Sequence, residues 1–195
     1  MMKQVGIKNQ NGIFLSNKKI SMINVIAGKY KGQKLFHINN NNVRPTQAKV
    51  RKSIFDILGS LNDKKILDLY SGVGSFGIES LSRGASHLTS VESNSSVFKI
   101  LLKNIKKICP NDDIKLHRST VDRFLNINNN KFDIIFADPP YGEFDFFDLK
   151  ENISKFLNLN GIFCMEMKKR EFDEHEGNIR IKHYGNTQVV FWTLN

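Results

Sequence analysis

Asp68-Leu69-Tyr70-Ser71-Gly72-Val73-Gly74-Ser75-Phe76-Gly77 is the stretch that decides the fold. Its glycines have the spacing G-x-G-x-x-G. The apolar run Lys65-Ile66-Leu67-Asp68-Leu69-Tyr70 leads into it, and a helical segment with Ile78, Leu81 and Ser82 leads out. Strand, glycine turn and helix in that order open an α/β unit that binds a ligand at the turn. The glycines let the backbone turn sharply and let a ligand approach it closely. The new helix N-terminus favours a negative group.

Toward the C-terminus the alternation continues. His87 to Glu92 reads as a second strand, and Val97, Ile100, Leu101, Ile105 and Ile108 mark a long amphipathic helix ending near Pro110. Ile114 to His117 is a third strand, followed by a short helix over Val121 to Leu125. Phe132 to Ala137 is the fourth and most apolar strand. Phe146, Phe147, Leu149, Ile153, Phe156 and Leu157 suggest one further helix, and Gly161 to Met167 a fifth strand. Ile179 to Tyr184, Gly185-Asn186 and Thr187 to Leu194 read as a tight hairpin. Strands alternating with helices predict a doubly wound, mostly parallel sheet, with seven strands once the antiparallel hairpin is added.

Toward the N-terminus the character changes. Ile23 to Ile38 reads as a β-hairpin around Gly28-Lys29-Tyr30-Lys31-Gly32. Arg44-Pro45-Thr46 then opens a helix with Thr46 as N-cap, and Val50, Ile54, Ile57 and Leu58 lie on one face. Lys49 and Lys52 point away from that face and Arg51 borders it. Residues 1–21 are polar and Lys/Asn-rich, an extension expected to be disordered, and Met22 is an alternative start. The expected division is therefore an extension at 1–21, a basic hairpin–helix module at 22–60 and a ligand-binding domain at 61–195.

The formal net charge is +10. Residues 1–60 hold eleven Lys/Arg against the single acid Asp56, while the charges beyond residue 60 cancel. Such segregation fits a polyanionic partner, and equally a lysine-rich solvated surface. Cys109 and Cys164 sit in apolar surroundings, with neither disulfide nor metal-ligand spacing. No signal peptide or membrane span is legible, so a cytoplasmic protein is expected, with no membrane partner and no metal.

Asp68 narrows the ligand. It lies four residues before the first glycine, at a strand end, where a carboxylate repels pyrophosphate and attracts an ammonium or sulfonium. S-adenosylmethionine carries both, with a carboxylate for the loop N–H groups. Glu92, at the end of the second strand, is placed to accept ribose hydroxyls, as an acid there also does in nicotinamide enzymes.

Asp138-Pro139-Pro140-Tyr141 follows the fourth strand, on the same edge as the glycine loop. An exocyclic base amine is a poor nucleophile because its lone pair is delocalised into the ring. The Asp138 carboxylate and the Pro139 carbonyl can each accept one amine hydrogen and leave the lone pair aimed at a methyl group. Consecutive prolines fix these acceptors in advance. Tyr141 can stack on a base that has left its duplex.

These residues together resemble the ribosomal RNA small subunit methyltransferase D family. The resemblance runs from about Ile23 to the C-terminus. It rests on Ile26-Ala27-Gly28, Arg44-Pro45-Thr46, Val50-Arg51-Lys52-Ser53-Ile54-Phe55, Asp68 to Ser75, Glu79-Ser80-Leu81-Ser82-Arg83-Gly84-Ala85, Glu92 and Asp138-Pro139-Pro140-Tyr141. It implies a Rossmann-like class I methyltransferase fold and methylation of one guanine N2 in 16S rRNA, free or in a small-subunit assembly particle. A monomer is expected. The resemblance implies that Asp138, Pro139, Pro140 and Tyr141 hold the guanine. Asp68, Ser71, Gly72, Gly74, Ser75, Glu92, Thr120 and Val121 would hold S-adenosylmethionine. Arg44 and Thr46 would sit at the mouth of the site, and Lys49, Arg51 and Lys52 would face RNA. Lys29 and Lys31 would touch RNA or simply decorate the hairpin. The chain departs from the family at Thr120, where relatives often carry an acid or amide against adenine, at Lys52, where many carry an acid, and in residues 1–21. The alternatives are a DNA adenine-N6 methyltransferase, a non-catalytic RNA-binding assembly protein and a nicotinamide oxidoreductase.

Overall fold

The computed structural model of the chain describes residues 23–37, 48–140, 145–171 and 178–195. A hairpin of β1 (Ile23–Asn24) and β2 (Lys34–Leu35) comes first, followed by α1 (Ala48–Leu58). Then come β3 (Lys65–Leu69), α2 (Ser75–Ser82), β4 (His87–Val91), α3 (Ser95–Ile108), β5 (Ile114–His117), α4 (Val121–Ile127) and β6 (Phe132–Ala137). The chain closes with α5 (Phe146–Ser154), β7 (Leu157–Lys168), β8 (Ile179–Tyr184) and β9 (Thr187–Thr193). The expected extension at 1–21, the N-cap Thr46 and the residues Arg44 and Tyr141 lie outside the described residues.

The seven-stranded sheet has the order β5-β4-β3-β6-β7-β9-β8. Neighbours from β5 to β7 pair in parallel, while β9 runs antiparallel to both β7 and β8. The chain enters at β3, steps outward through β4 and β5, and returns to the other side of β3 as β6. That reversal leaves a crevice at the carboxyl ends of β3 and β6, where open α/β sheets bind ligands.

The central strands read as near-continuous apolar runs because both faces are covered. On one face Ile54, Phe55, Phe76, Ile78, Leu101 and Phe136 form a core shared by α1, α2, α3 and the hairpin residues Ile23, Val25 and Leu35. On the other, Phe124, Phe146, Leu149, Phe163 and Trp192 pack α4 and α5 against the sheet. The hairpin and α1 therefore share one core with the sheet.

One boundary differs from the sequence expectation. Phe156 and Leu157 extend the apolar stripe of α5, yet the helix stops at Ser154 and Leu157 pairs with Phe132 as the first residue of β7. Both side chains are buried in either reading. Burial alone therefore does not distinguish the last helical turn from the start of the strand.

The hairpin docks onto α2 through a buried acid. Glu79 Oε2 accepts from the Ile26 N–H at 2.7 Å, while Oε1 accepts from the Ala27 N–H at 3.1 Å and from Arg83 Nε at 2.7 Å. Ser82 continues the seam: its carbonyl accepts from the Lys29 N–H and its hydroxyl from the Tyr30 N–H. Gly28 stands between these bonds at φ +82°, and a Cβ there would lie 1.7 Å from the Ser82 carbonyl oxygen. Only glycine fits both the angle and the approach.

Candidate active site

The cleft at the carboxyl edge of the sheet is lined by Tyr70, Val91, Glu92, Ser93, Ser119, Thr120, Val121, Asp122 and Pro140. The ends of β3, β4 and β6 and the start of α4 thus meet in one place. Of the expected residues, Glu92, Thr120, Val121 and Pro140 line this one cavity, while Asp68, Ser71, Gly72, Gly74, Ser75, Asp138 and Pro139 are not part of its wall.

The glycine loop is braced from behind. Ser71 Oγ donates to the Asp68 carbonyl at 2.6 Å and accepts from the Val91 N–H at 3.0 Å. Its hydroxyl therefore ties the loop to β4. Gly74, at φ +89°, is the N-cap of α2 and supplies no side-chain cap. Asp68 takes the Gly77 N–H of this first turn, which leaves the Ser75 and Phe76 N–H groups to meet an anionic group.

Asp68 is wholly buried. Its Oδ2 accepts from the Gly77 N–H at 3.1 Å. Burial pushes its carboxyl up to about 7; the Gly77 bond opposes that rise and the charge of Glu92 adds to it. Glu92 is aimed by two backbone donors, with Gly72 N–H on Oε2 at 3.0 Å and Asn94 N–H on Oε1 at 2.7 Å. An ionised carboxylate has about four acceptor positions, so two remain for hydroxyl donors.

On the far wall, Thr120 is the N-cap of α4, its hydroxyl accepting from the Arg123 N–H. Beside it the Ser119 hydroxyl is buried with no hydrogen-bond partner among the described residues. A buried orphan hydroxyl in a cleft wall fits a polar ligand that completes it. Asp138 directly follows β6 and is half-buried, Pro139 is buried and Pro140 is exposed in the cleft.

Tyr70, Ser93, Ser119 and Asp122 were not singled out from the sequence. Tyr70 takes φ +56°, a conformation that costs an ordinary side chain of order 1–3 kcal/mol and that clusters at functional sites. Its position in the glycine loop was the available signal; its backbone angle was not legible.

The expected RNA contacts divide. Lys31, Lys49 and Lys52 are exposed, with Lys52 paired to Asp56 at 2.6 Å. Lys29 is tied to Asp112, which also accepts from the Tyr30 hydroxyl. Arg51 departs from the expected surface: it is 2% exposed and donates to the Asn24 carbonyl. Burial holds its guanidinium below the usual range, with Glu79 opposing that shift. Because Arg51 borders the apolar stripe of α1, the hairpin covers it. No described group of His, Cys, Asp and Glu could hold a metal, and no described helix is long and apolar enough to cross a membrane.

Residues 23–193 match the family model described as Conserved hypothetical protein 95. Ribosomal RNA small subunit methyltransferase D of Buchnera aphidicola (strain APS) is 32% identical over 165 residues, covering 83% of this chain and 84% of that protein. The protein of that name from Haemophilus influenzae is 30% identical over 158 residues, covering 75% and 79%. Among solved structures, yhhF of Escherichia coli superposes with a TM-score of 0.79 at 24% identity, covering 90% of this chain and 99% of that one. A Thermus thermophilus 16S rRNA N2 methyltransferase, solved with AdoMet and guanosine, has a TM-score of 0.68 at 18% identity, covering 90% and 50%. The fold is that of the class I methyltransferases.

Proposed function

Since the chain belongs to the ribosomal RNA small subunit methyltransferase D family, we propose that it methylates the exocyclic N2 amine of one guanine in 16S rRNA. The observation that carries this reading is the single cleft in which Glu92, Thr120 and Val121 meet Pro140 of the Asp-Pro-Pro-Tyr motif. S-adenosylmethionine supplies an electrophilic methyl group on a sulfonium. Asp68 faces its positive charge, Glu92 takes the ribose hydroxyls, and the Ser75 N–H at the start of α2 takes its carboxylate, with Gly72 and Gly74 letting the backbone turn close to it. Ser119, Thr120 and Val121 flank the adenine. Asp138 and the Pro139 carbonyl accept the two amine hydrogens, orienting the nitrogen lone pair. The proton lost on methylation passes to Asp138 or solvent. The family resemblance assigns Tyr141 to stacking on the flipped base and Arg44 and Thr46 to the RNA, and the exposed Lys49 and Lys52 would contact it as well.

Asp68 gives this reading a pH signature. Its carboxyl is held near 7 in the free protein, and a bound cation favours the ionised form. Binding below that value therefore releases a proton. Cofactor affinity should rise from pH 6 to about 7, by at most tenfold per unit, and then level before the cofactor amine itself titrates near ~8. Calorimetric titration across this range tests it, and Asp68→Asn should flatten the profile. A flat wild-type profile would count against the pairing.

The substrate is tested by incubating the protein with labelled cofactor and, side by side, bare 16S rRNA, assembled 30S particles and duplex DNA. Label in rRNA or particles is expected. Label in DNA alone favours a DNA adenine-N6 enzyme, and RNA binding with no label favours a non-catalytic assembly protein.

A further inference from the structure

Phe36 is the one aromatic among the exposed large apolar side chains of the described residues, at 51% exposure. Its exposure is built into the fold. Its N–H donates to Asn104 Oδ1 at 2.7 Å, and its carbonyl accepts from Asn104 Nδ2 at 3.0 Å. Asn104 is wholly buried on α3 and also donates to the Val73 carbonyl of the glycine loop at 2.9 Å. The backbone of Phe36 is thus pinned on both sides while half of the residue meets solvent. Lys107 Nζ lies over the ring, 4.8 Å from its centroid, and donates to the Lys34 carbonyl at 2.7 Å.

The helix behind this ring carries Lys99, Lys103, Lys106 and Lys107, all exposed, and no acid. Lys99, Lys103 and Lys106 recur at i, i+4 and i+7, one face of the helix. Like charges at that spacing slightly destabilise a helix, so the fold itself draws no stability from the arrangement. A fixed, exposed aromatic beside an acid-free cationic face is the composition of a surface for unpaired RNA, with a base on the ring and phosphates on the cations. A lipid surface would need a broader apolar face.

We propose that Phe36 and the lysine face of α3 form an RNA-docking surface separate from the methylation cleft, taking an unpaired base on Phe36 and backbone phosphates on Lys99, Lys103 and Lys106. This rests on the reading of RNA as substrate. Asn104 joins the backbone of the platform to the glycine loop through one buried side chain.

The test is affinity for a 16S rRNA transcript as a function of salt, with cofactor binding and melting temperature measured in parallel. Phe36→Ala should weaken RNA binding about tenfold with the salt slope unchanged, and Phe36→Trp should restore it. Lys99→Gln/Lys103→Gln/Lys106→Gln should lower the slope of log affinity against log salt by about two. Cofactor affinity and melting temperature should match wild type in each variant. If wild type binds both cofactor and RNA while the variants keep its affinity and slope, the surface is overturned and the methyltransferase reading stands. If wild type binds no cofactor and no RNA, both are overturned.

Discussion

Asp138→Ala should lower the rate of methyl transfer by about 10³-fold while leaving cofactor affinity within about twofold of wild type. Asp138 directly follows β6, whose last residue, Ala137, pairs with Leu69 of β3 and Met165 of β7. Pro139 and Pro140 hold φ for the next two residues, so under the proposed function the acceptor would need no rearrangement when a base arrives. Removing one preorganised partner of a reacting group typically costs 10²–10³-fold, and here the orientation of the lone pair is lost as well. Asp138→Asn keeps the shape and one acceptor oxygen, so it should fall between the two. Single-turnover transfer of labelled methyl, with calorimetric binding of the cofactor, separates chemistry from affinity. A variant that transfers at the wild-type rate would remove Asp138 from the reaction.

The second large effect concerns the seam that holds the hairpin. Glu79→Ala should lower the unfolding free energy by about 3–5 kcal/mol, because it leaves Arg83 and the buried Arg51 without their counter-charge. The N–H groups of Ile26 and Ala27 lose their acceptor in the same step. In a chain of this size that corresponds to a melting temperature lower by about 10 °C. Lys29→Ala is the control: its pair with Asp112 is half exposed on the lysine side, and such pairs contribute about 1 kcal/mol or less. Urea unfolding of both variants checks the contrast. Equal losses would mean that the hairpin is held by its apolar residues rather than by Glu79.

Much of the architecture could be read before the structure because local and global signals agree. Gly72 and Gly74 require the turn that the sheet order requires, and Gly185-Asn186 sits where β8 must return as β9. Asp68 is the last residue but one of β3, Glu92 and Asp138 directly follow β4 and β6, and parallel strands put their carboxyl ends on one edge. Less legible were features that depend on what lies across a seam. Arg51 reads as a surface cation until the hairpin covers it. Glu79 reads as an ordinary helix acid, although it binds two backbone amides more than fifty residues away. Tyr70 gives no sign of its left-handed backbone. The two motifs Ile26-Ala27-Gly28 and Glu79-Ser80-Leu81-Ser82 were both legible, but only their contact explains why Gly28 must lack a Cβ.

The central claim is that one guanine amine of 16S rRNA receives the methyl group, and nucleoside mass spectrometry tests it most directly. 16S rRNA from cells lacking the gene, incubated with the purified protein and cofactor, should gain N2-methylguanosine at a single position that wild-type rRNA already carries. N6-methyladenine in DNA with no gain in rRNA, or no new methylated nucleoside at all, would contradict it.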